Sequence, residues 1–83
     1  MKEHIRAHIR LNTMKDIEMF IDQLNRIGGT DKFMVEDFES KQRVSARSVV
    51  GMLYAMTDFN DNMYFVNESN DGIFPSFIDA YRI

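Results

Sequence analysis

The 83-residue chain contains no cysteine. A disulfide framework, a thiolate metal site and a thiol nucleophile are therefore excluded, and the composition fits a reducing compartment. Histidine is scarce as well: His4 and His8 both precede Leu11, and no imidazole occurs after them. The only proline, Pro75, lies near the end, and no repeat, low-complexity tract or linker divides the chain. The net charge of -3, with scattered basic residues, lacks the clustered Lys and Arg that neutralise phosphates in nucleic-acid binders. No run approaches the roughly 20 apolar residues that span a bilayer. The opening "MKEHIRAHIRL" also lacks the continuous apolar stretch of a signal peptide. One cytoplasmic domain over residues 1–83, with neither membrane nor nucleic acid as partner, is the expectation. What remains is 45% apolar and 28% charged, the balance of an ordinary globular domain. Its length is near the lower end of what a single core can stabilise.

"HIRAHIRL" alternates, with Ile5, Ala7, Ile9 and Leu11 on one side and His4, Arg6, His8 and Arg10 on the other. That period of two predicts a half-buried strand. In "NTMKDIEMFIDQLNRIGG" the period changes: Met14, Ile17, Phe20, Ile21, Leu24 and Ile27 recur at spacings of three and four, one apolar helix face. Asn12 or Thr13 can cap its start, Asp16 suits the positive end of the dipole, and Gly28 and Gly29 supply a left-handed stop. "KFMVEDFES" and "QRVSA" predict a hairpin turning near Ser40 and Lys41, with a bulge to absorb the broken alternation between Val35 and Phe38. "SVVGMLYAM" is a short apolar run, either a strand or a buried helix. "MYFVNES" predicts a further strand with Tyr64 and Val66 on one face and Met63, Phe65 and Asn67 on the other. After the "NDG" turn, the tail "FPSFIDAYRI" carries Phe74, Phe77, Ile78 and Tyr81 at helical spacing. The economical arrangement is α+β: a small antiparallel sheet with its helices on one face.

Few side chains suggest chemistry on their own. His4 and His8 would stand about 13 Å apart along a strand, too far to share a metal ion. The seven methionines show no close clustering and read as core filler. The acidic groups "VEDFE" and "TDFNDN" lack the spacing of a calcium-binding loop and read as solvated turns. No Ser-His-Asp set, phosphate-binding glycine loop or catalytic carboxylate pair stands out. Metal, cofactor and enzymatic activity are accordingly not expected.

The element order β-α-β-β-α-β-α, with "ARSVVGML" closing a hairpin, resembles the HPr phosphocarrier family of the bacterial sugar phosphotransferase system. Its members carry Lys-Ser-Ile-Met-Gly after the third strand, and Arg47-Ser48-Val49-Val50-Gly51 stands in that place. The resemblance implies an open-faced sandwich: four antiparallel strands in the order 1-4-2-3 against three helices. It also implies a loss. Thr13-Met14-Lys15 occupy the position of the family's phosphoryl-accepting His-Ala-Arg. A threonine ester is too stable for rapid onward transfer, and Lys15 lacks the bidentate fork of arginine.

What survives is the serine that Gram-positive members phosphorylate through a dedicated kinase and present to a transcriptional regulator. The resemblance therefore implies a non-catalytic HPr-like protein, regulated at Ser48 and docking proteins through Arg47, Val49, Val50 and Leu53. Its partners would be an HPr kinase, a phosphotransferase-system enzyme or a transcriptional regulator. The residues alone give Ser48 a simpler role, a helix cap worth about 1 kcal/mol. Phosphate there would meet helix-start amides, with Arg47 and Arg43 as sources of charge-assisted bonds. Val50 and Leu53 are expected to face partly outward, Val49 and Met52 inward. Two other readings stand beside this one: a phosphocarrier with a non-standard acceptor such as His8, and an unrelated small α/β interaction or ligand-binding module.

Overall fold

The structure, a computed structural model, describes residues 5–83, so the expectation for His4 lies outside the described residues. Its elements are β1 (Arg6–His8), α1 (Met14–Ile27), β2 (Phe33–Asp37), β3 (Arg43–Ser45), α2 (Val49–Asp58), a 3₁₀ turn (Asn60–Asn62), β4 (Met63–Asn67) and a C-terminal 3₁₀ helix (Ser76–Tyr81). The strands make one antiparallel sheet in the order β1-β4-β2-β3. The α+β class and the 1-4-2-3 strand order are those expected.

The alternation of β1 places Ala7, Ile9 and Leu11 in the core. Ile5 has the same parity yet is exposed, because pairing with β4 stops at Arg6 opposite Val66. Across the sheet, Ala7, Phe65 and Val35 stand in one row on the face that packs against Ile17, Phe20, Ile21 and Leu24 of α1 and Met52 and Ala55 of α2. Met14 and Ile27, at the two ends of the predicted α1 stripe, stay exposed. Phe20 is the centre of the layer: the rings of Phe65, Phe77 and Tyr81 meet it edge-on at centroid distances of 5.7, 5.3 and 5.2 Å. Such contacts add to plain apolar burial.

The chain departs from expectation at two elements. No bulge interrupts β2, which pairs in continuous register with β3 from Met34 opposite Ser45 to Glu36 opposite Arg43, and with β4 from Phe33 to Asp37. The alternation looked broken because Phe38 lies beyond the strand's last paired residue, and because Glu36, polar in the sequence, is a buried residue on the open face. The tail forms a 3₁₀ helix of six residues rather than an α-helix. Its end is committed elsewhere: Arg10 N–H donates to the Tyr81 carbonyl and Ile83 N–H to that of His8, so Arg82 bridges Ile9 at the outer side of β1.

Candidate functional site

The hairpin delivers the chain to α2 through a compact turn. Ala46 is fully buried with its N–H on the Phe33 carbonyl, and Ser48 N–H bonds the Ser45 carbonyl. Ser48 itself is extended (φ -98°, ψ 121°), and its Oγ accepts from Gly51 N–H at 3.0 Å. This is an N-cap, and it satisfies one of the donors that a helix start leaves without a partner. Gly51 is needed for close approach: a Cβ there would stand 3.2 Å from Val44 Cβ and 3.3 Å from Ser48 Cβ. With no side chain at Gly51, α2 lies directly against β3.

Around this cap the first turn of α2 is apolar and open to solvent. Val50 is 77% exposed and Val49 40%, while Met52 is buried and Leu53 is half-buried against the core. Val50 and Met52 face as expected, and Val49 does not. Val49 lies one turn before Met52 on the same stripe, but at the helix end, where burial has run out. Tyr54, one turn after Val50, extends the exposed strip and donates its hydroxyl to Gln42 Oε1 at 3.1 Å.

The guanidinium groups expected near Ser48 are both engaged elsewhere. Arg47 donates from one Nη to the Leu24 carbonyl at 3.2 Å and from the other to the Asp31 carbonyl at 3.4 Å, with its Cζ 5.3 Å from the centroid of the Phe33 ring. It fastens the end of α1 to the start of α2. Arg43 points across the open face of the sheet, where it meets Glu36 at 3.1 Å and Glu68 at 2.5 Å.

Thr13 and Lys15 are at the other end of α1. Thr13 Oγ1 accepts from Asp16 N–H at 3.1 Å, and Asp16 Oδ2 accepts in return from the N–H groups of Asn12 and Thr13 at 2.9 and 3.2 Å. This capping box occupies the hydroxyl with a folding role. Lys15 is exposed. The Leu24 carbonyl that holds Arg47 is about 16 Å farther along the helix axis at the usual rise. Among the described residues, no hydrogen bond or ion pair joins Thr13 or Lys15 to Arg47 or Ser48. His8 is on the opposite face of the sheet, stacked on Tyr64 at 4.4 Å with its Nε2 on the Asp61 carbonyl.

That face carries the main charged network. Glu36 Oε1 meets Arg6 at 2.5 Å and Oε2 meets Arg43, which reaches on to Glu68, itself 3.4 Å from Lys32. Burial alone would raise the Glu36 pKa, but hydrogen bonds and charge from the two guanidiniums outweigh it, and the carboxyl is held below its ordinary value. Asp37, in the hairpin, is likewise lowered, first by the Ser40 hydroxyl and then by the amides of Ser40 and Glu39 and the charge of Lys41. Tyr81 is pushed up by burial and by the charge of Asp16, against a hydrogen bond from Gln23. A second polar knot holds the 67–73 loop: the buried Asn67 donates to Asp31 and to the Ile73 carbonyl and accepts from the N–H groups of Ser69 and Asn70. The acidic groups of "VEDFE" thus serve the sheet and its turn, and among the described residues no three His, Asp or Glu side chains converge as a metal site. No helix of the described residues is long and apolar enough to cross a membrane.

Comparison with protein-family models, with curated proteins and with solved structures finds no match to this chain. The start of α2 therefore stands as the candidate site on its own geometry. The expected Ser48 cap and outward Val50 are observed, whereas the engagement of Arg47 was missed, because its acceptors are main-chain carbonyls and leave no mark in side-chain identity. Glu36 gives a signal, a carboxylate out of pattern in an apolar strand, but the same pattern is also that of a bulge.

Proposed function

We propose that this chain is an HPr-like domain that acts through protein contacts at the start of α2, not as a histidine phosphocarrier, and that it is regulated by phosphorylation at Ser48. The observation that carries the reading is the capped first turn of α2: a serine hydroxyl on the Gly51 N–H, framed by Val49 and Val50 facing solvent, on a 1-4-2-3 antiparallel sheet. An apolar patch of this kind suits a protein partner. A cytoplasmic setting goes with it. In the modification, Ser48 Oγ attacks the terminal phosphorus of a nucleoside triphosphate. The O–P bond forms as the bond to the diphosphate breaks, and the hydroxyl proton passes to a base of the kinase. The added charge of about -1.5 to -2 would sit at a favourable helix terminus but at the rim of an apolar contact, strengthening α2 and weakening a partner that needs a neutral patch.

The roles of Thr13 and His8 support the non-carrier half. The Thr13 hydroxyl is taken up by the capping box, and His8 is remote from the candidate site. Incubation with an HPr kinase and ATP, followed by peptide mapping in a mass spectrometer, tests the regulatory half. Phosphate on Ser48 is expected; a chain that stays unmodified, or is modified elsewhere, refutes it. Acid-labile phosphate acquired from phosphoenolpyruvate and enzyme I would overturn the non-carrier half.

A further inference from the structure

Arg47 is the immediate neighbour of Ser48, and its guanidinium rests on neutral acceptors. The carbonyls of Leu24 and Asp31 receive it at 3.2 and 3.4 Å, at or beyond the long end of the usual N–H···O range. Those two carbonyls bracket residues 25–30, a stretch that is exposed throughout. It leaves α1 through Gly28 and Gly29, both at positive φ (73° and 78°), and a Cβ added at either would meet nothing within 4 Å. Among the described residues, no hydrogen bond or ion pair joins residues 25–30 to α2, and the Arg47 bonds at their two ends tie the stretch to the start of that helix. Asp31 is different: its carboxylate is fastened independently by the side-chain amides of Asn67 and Asn70 at 3.0 and 2.9 Å.

We propose that Arg47 is the relay of the Ser48 switch: phosphate on Ser48 and the carbonyls of Leu24 and Asp31 compete for one guanidinium, and its capture by phosphate loosens residues 25–30. The inference rests on the reading of Ser48 as a phosphorylation site and adds how the modification is transmitted. A phosphate offers three charged acceptor oxygens that can take the guanidinium fork bidentately, and it adds an opposite charge that a neutral carbonyl lacks. The helix-start amides can take one oxygen, as Gly51 N–H already does with the unmodified hydroxyl, which leaves others for a cation. Arg43 is held between Glu36 and Glu68, and Lys41 lies over the Phe38 ring at 4.7 Å. Arg47, adjacent in the chain and held only by neutral groups, is the cation that moves. Because Asp31 keeps its own fastening, the loosening ends there and does not spread into β2. Arg47 is a positioning residue in this scheme, coupling the patch on α2 to the end of α1 and to the exposed Ile27 beside it.

The test installs phosphoserine at position 48 by an expanded genetic code, so no kinase is needed. Amide hydrogen exchange at residues 25–30 is then compared in the unmodified protein, the phosphoprotein, R47Q, and R47Q carrying the phosphoserine. Expected is exchange about tenfold faster in the phosphoprotein and in R47Q alike, with no further gain when both changes are combined and no change in β2. Unchanged exchange in the phosphoprotein, with or without an effect of R47Q, overturns the relay, and so does an additive effect. If R47Q does not fold, R47K, which keeps the charge but loses the fork, takes its place. Failure of a kinase to write Ser48 would remove the proposed function without altering this result, so the two failures are distinguishable.

Discussion

Replacing Glu36 with glutamine tests the account of the open sheet face. The Glu36 side chain is 3% exposed and accepts from Arg6 at 2.5 Å and Arg43 at 3.1 Å, so each oxygen serves one guanidinium. Glutamine keeps the shape but turns one oxygen into an NH₂ that faces a donor. Breaking a fully buried pair costs about 3–5 kcal/mol. Here the cost is smaller, because the side chains of Arg6 and Arg43 are 17% and 28% exposed and Arg43 keeps Glu68. We expect about 2–3 kcal/mol at neutral pH, and a melting temperature lower by roughly 10–20 °C for a domain of this size. The pH dependence has a definite sign. A carboxyl whose pKa is lowered in the folded state contributes stability above its unfolded value, ordinarily 4.5, and loses it as pH falls through the lower folded value. The gap between wild type and E36Q in urea unfolding followed by circular dichroism is therefore widest near neutrality and closes as the solution is acidified below the ordinary carboxylate range. A gap under about 0.5 kcal/mol at neutral pH, or one that does not change with pH, refutes the reasoning.

Three further outcomes follow from the same geometry. Thr13→Ala removes the capping box and is expected to cost about 1 kcal/mol in urea unfolding without altering phosphorylation of Ser48. Gly51→Ala gains helix propensity of up to about 1 kcal/mol but presses on Val44 Cβ at 3.2 Å and Ser48 Cβ at 3.3 Å, so net destabilisation is expected by chemical unfolding. Val50→Asp, at a side chain 77% exposed, should shift the melting temperature by no more than a few degrees while slowing phosphorylation at Ser48 severalfold in a timed kinase assay, because the change falls on the proposed docking patch and not on the core.

The residues at the middle of each apolar stripe were legible in the sequence, while Ile5, Met14 and Ile27 at the stripe ends are exposed. Ile17, Phe20, Ile21 and Leu24 are buried as their spacing required, the Thr13 cap and the double glycine bound α1, and the faces of β4 are those read from "MYFVNES". Element order then sufficed, by resemblance, for the strand order. Long-range polar contacts were not legible. Glu36 looks like an interruption of β2 until Arg6 and Arg43, on two other strands, are placed over it. Arg47 looks like a free cation until the Leu24 carbonyl is placed beneath it. The same limit explains Val49, whose spacing put it inward while its position at the helix end left it open. At the start of α2, the Ser48 cap and the outward Val50 were readable because helix-start chemistry is local; the cations around them answer to partners elsewhere in the chain.

The central claim is that Ser48, with Val50 beside it, forms a modification and docking site at the start of α2. Intact-mass measurement of wild type, S48A and V50D after incubation with an HPr kinase and ATP tests it most directly. The account predicts one phosphate on wild type, none on S48A, and slow acquisition by V50D despite an unchanged fold. Unmodified wild type, or equal phosphorylation of S48A, would contradict it.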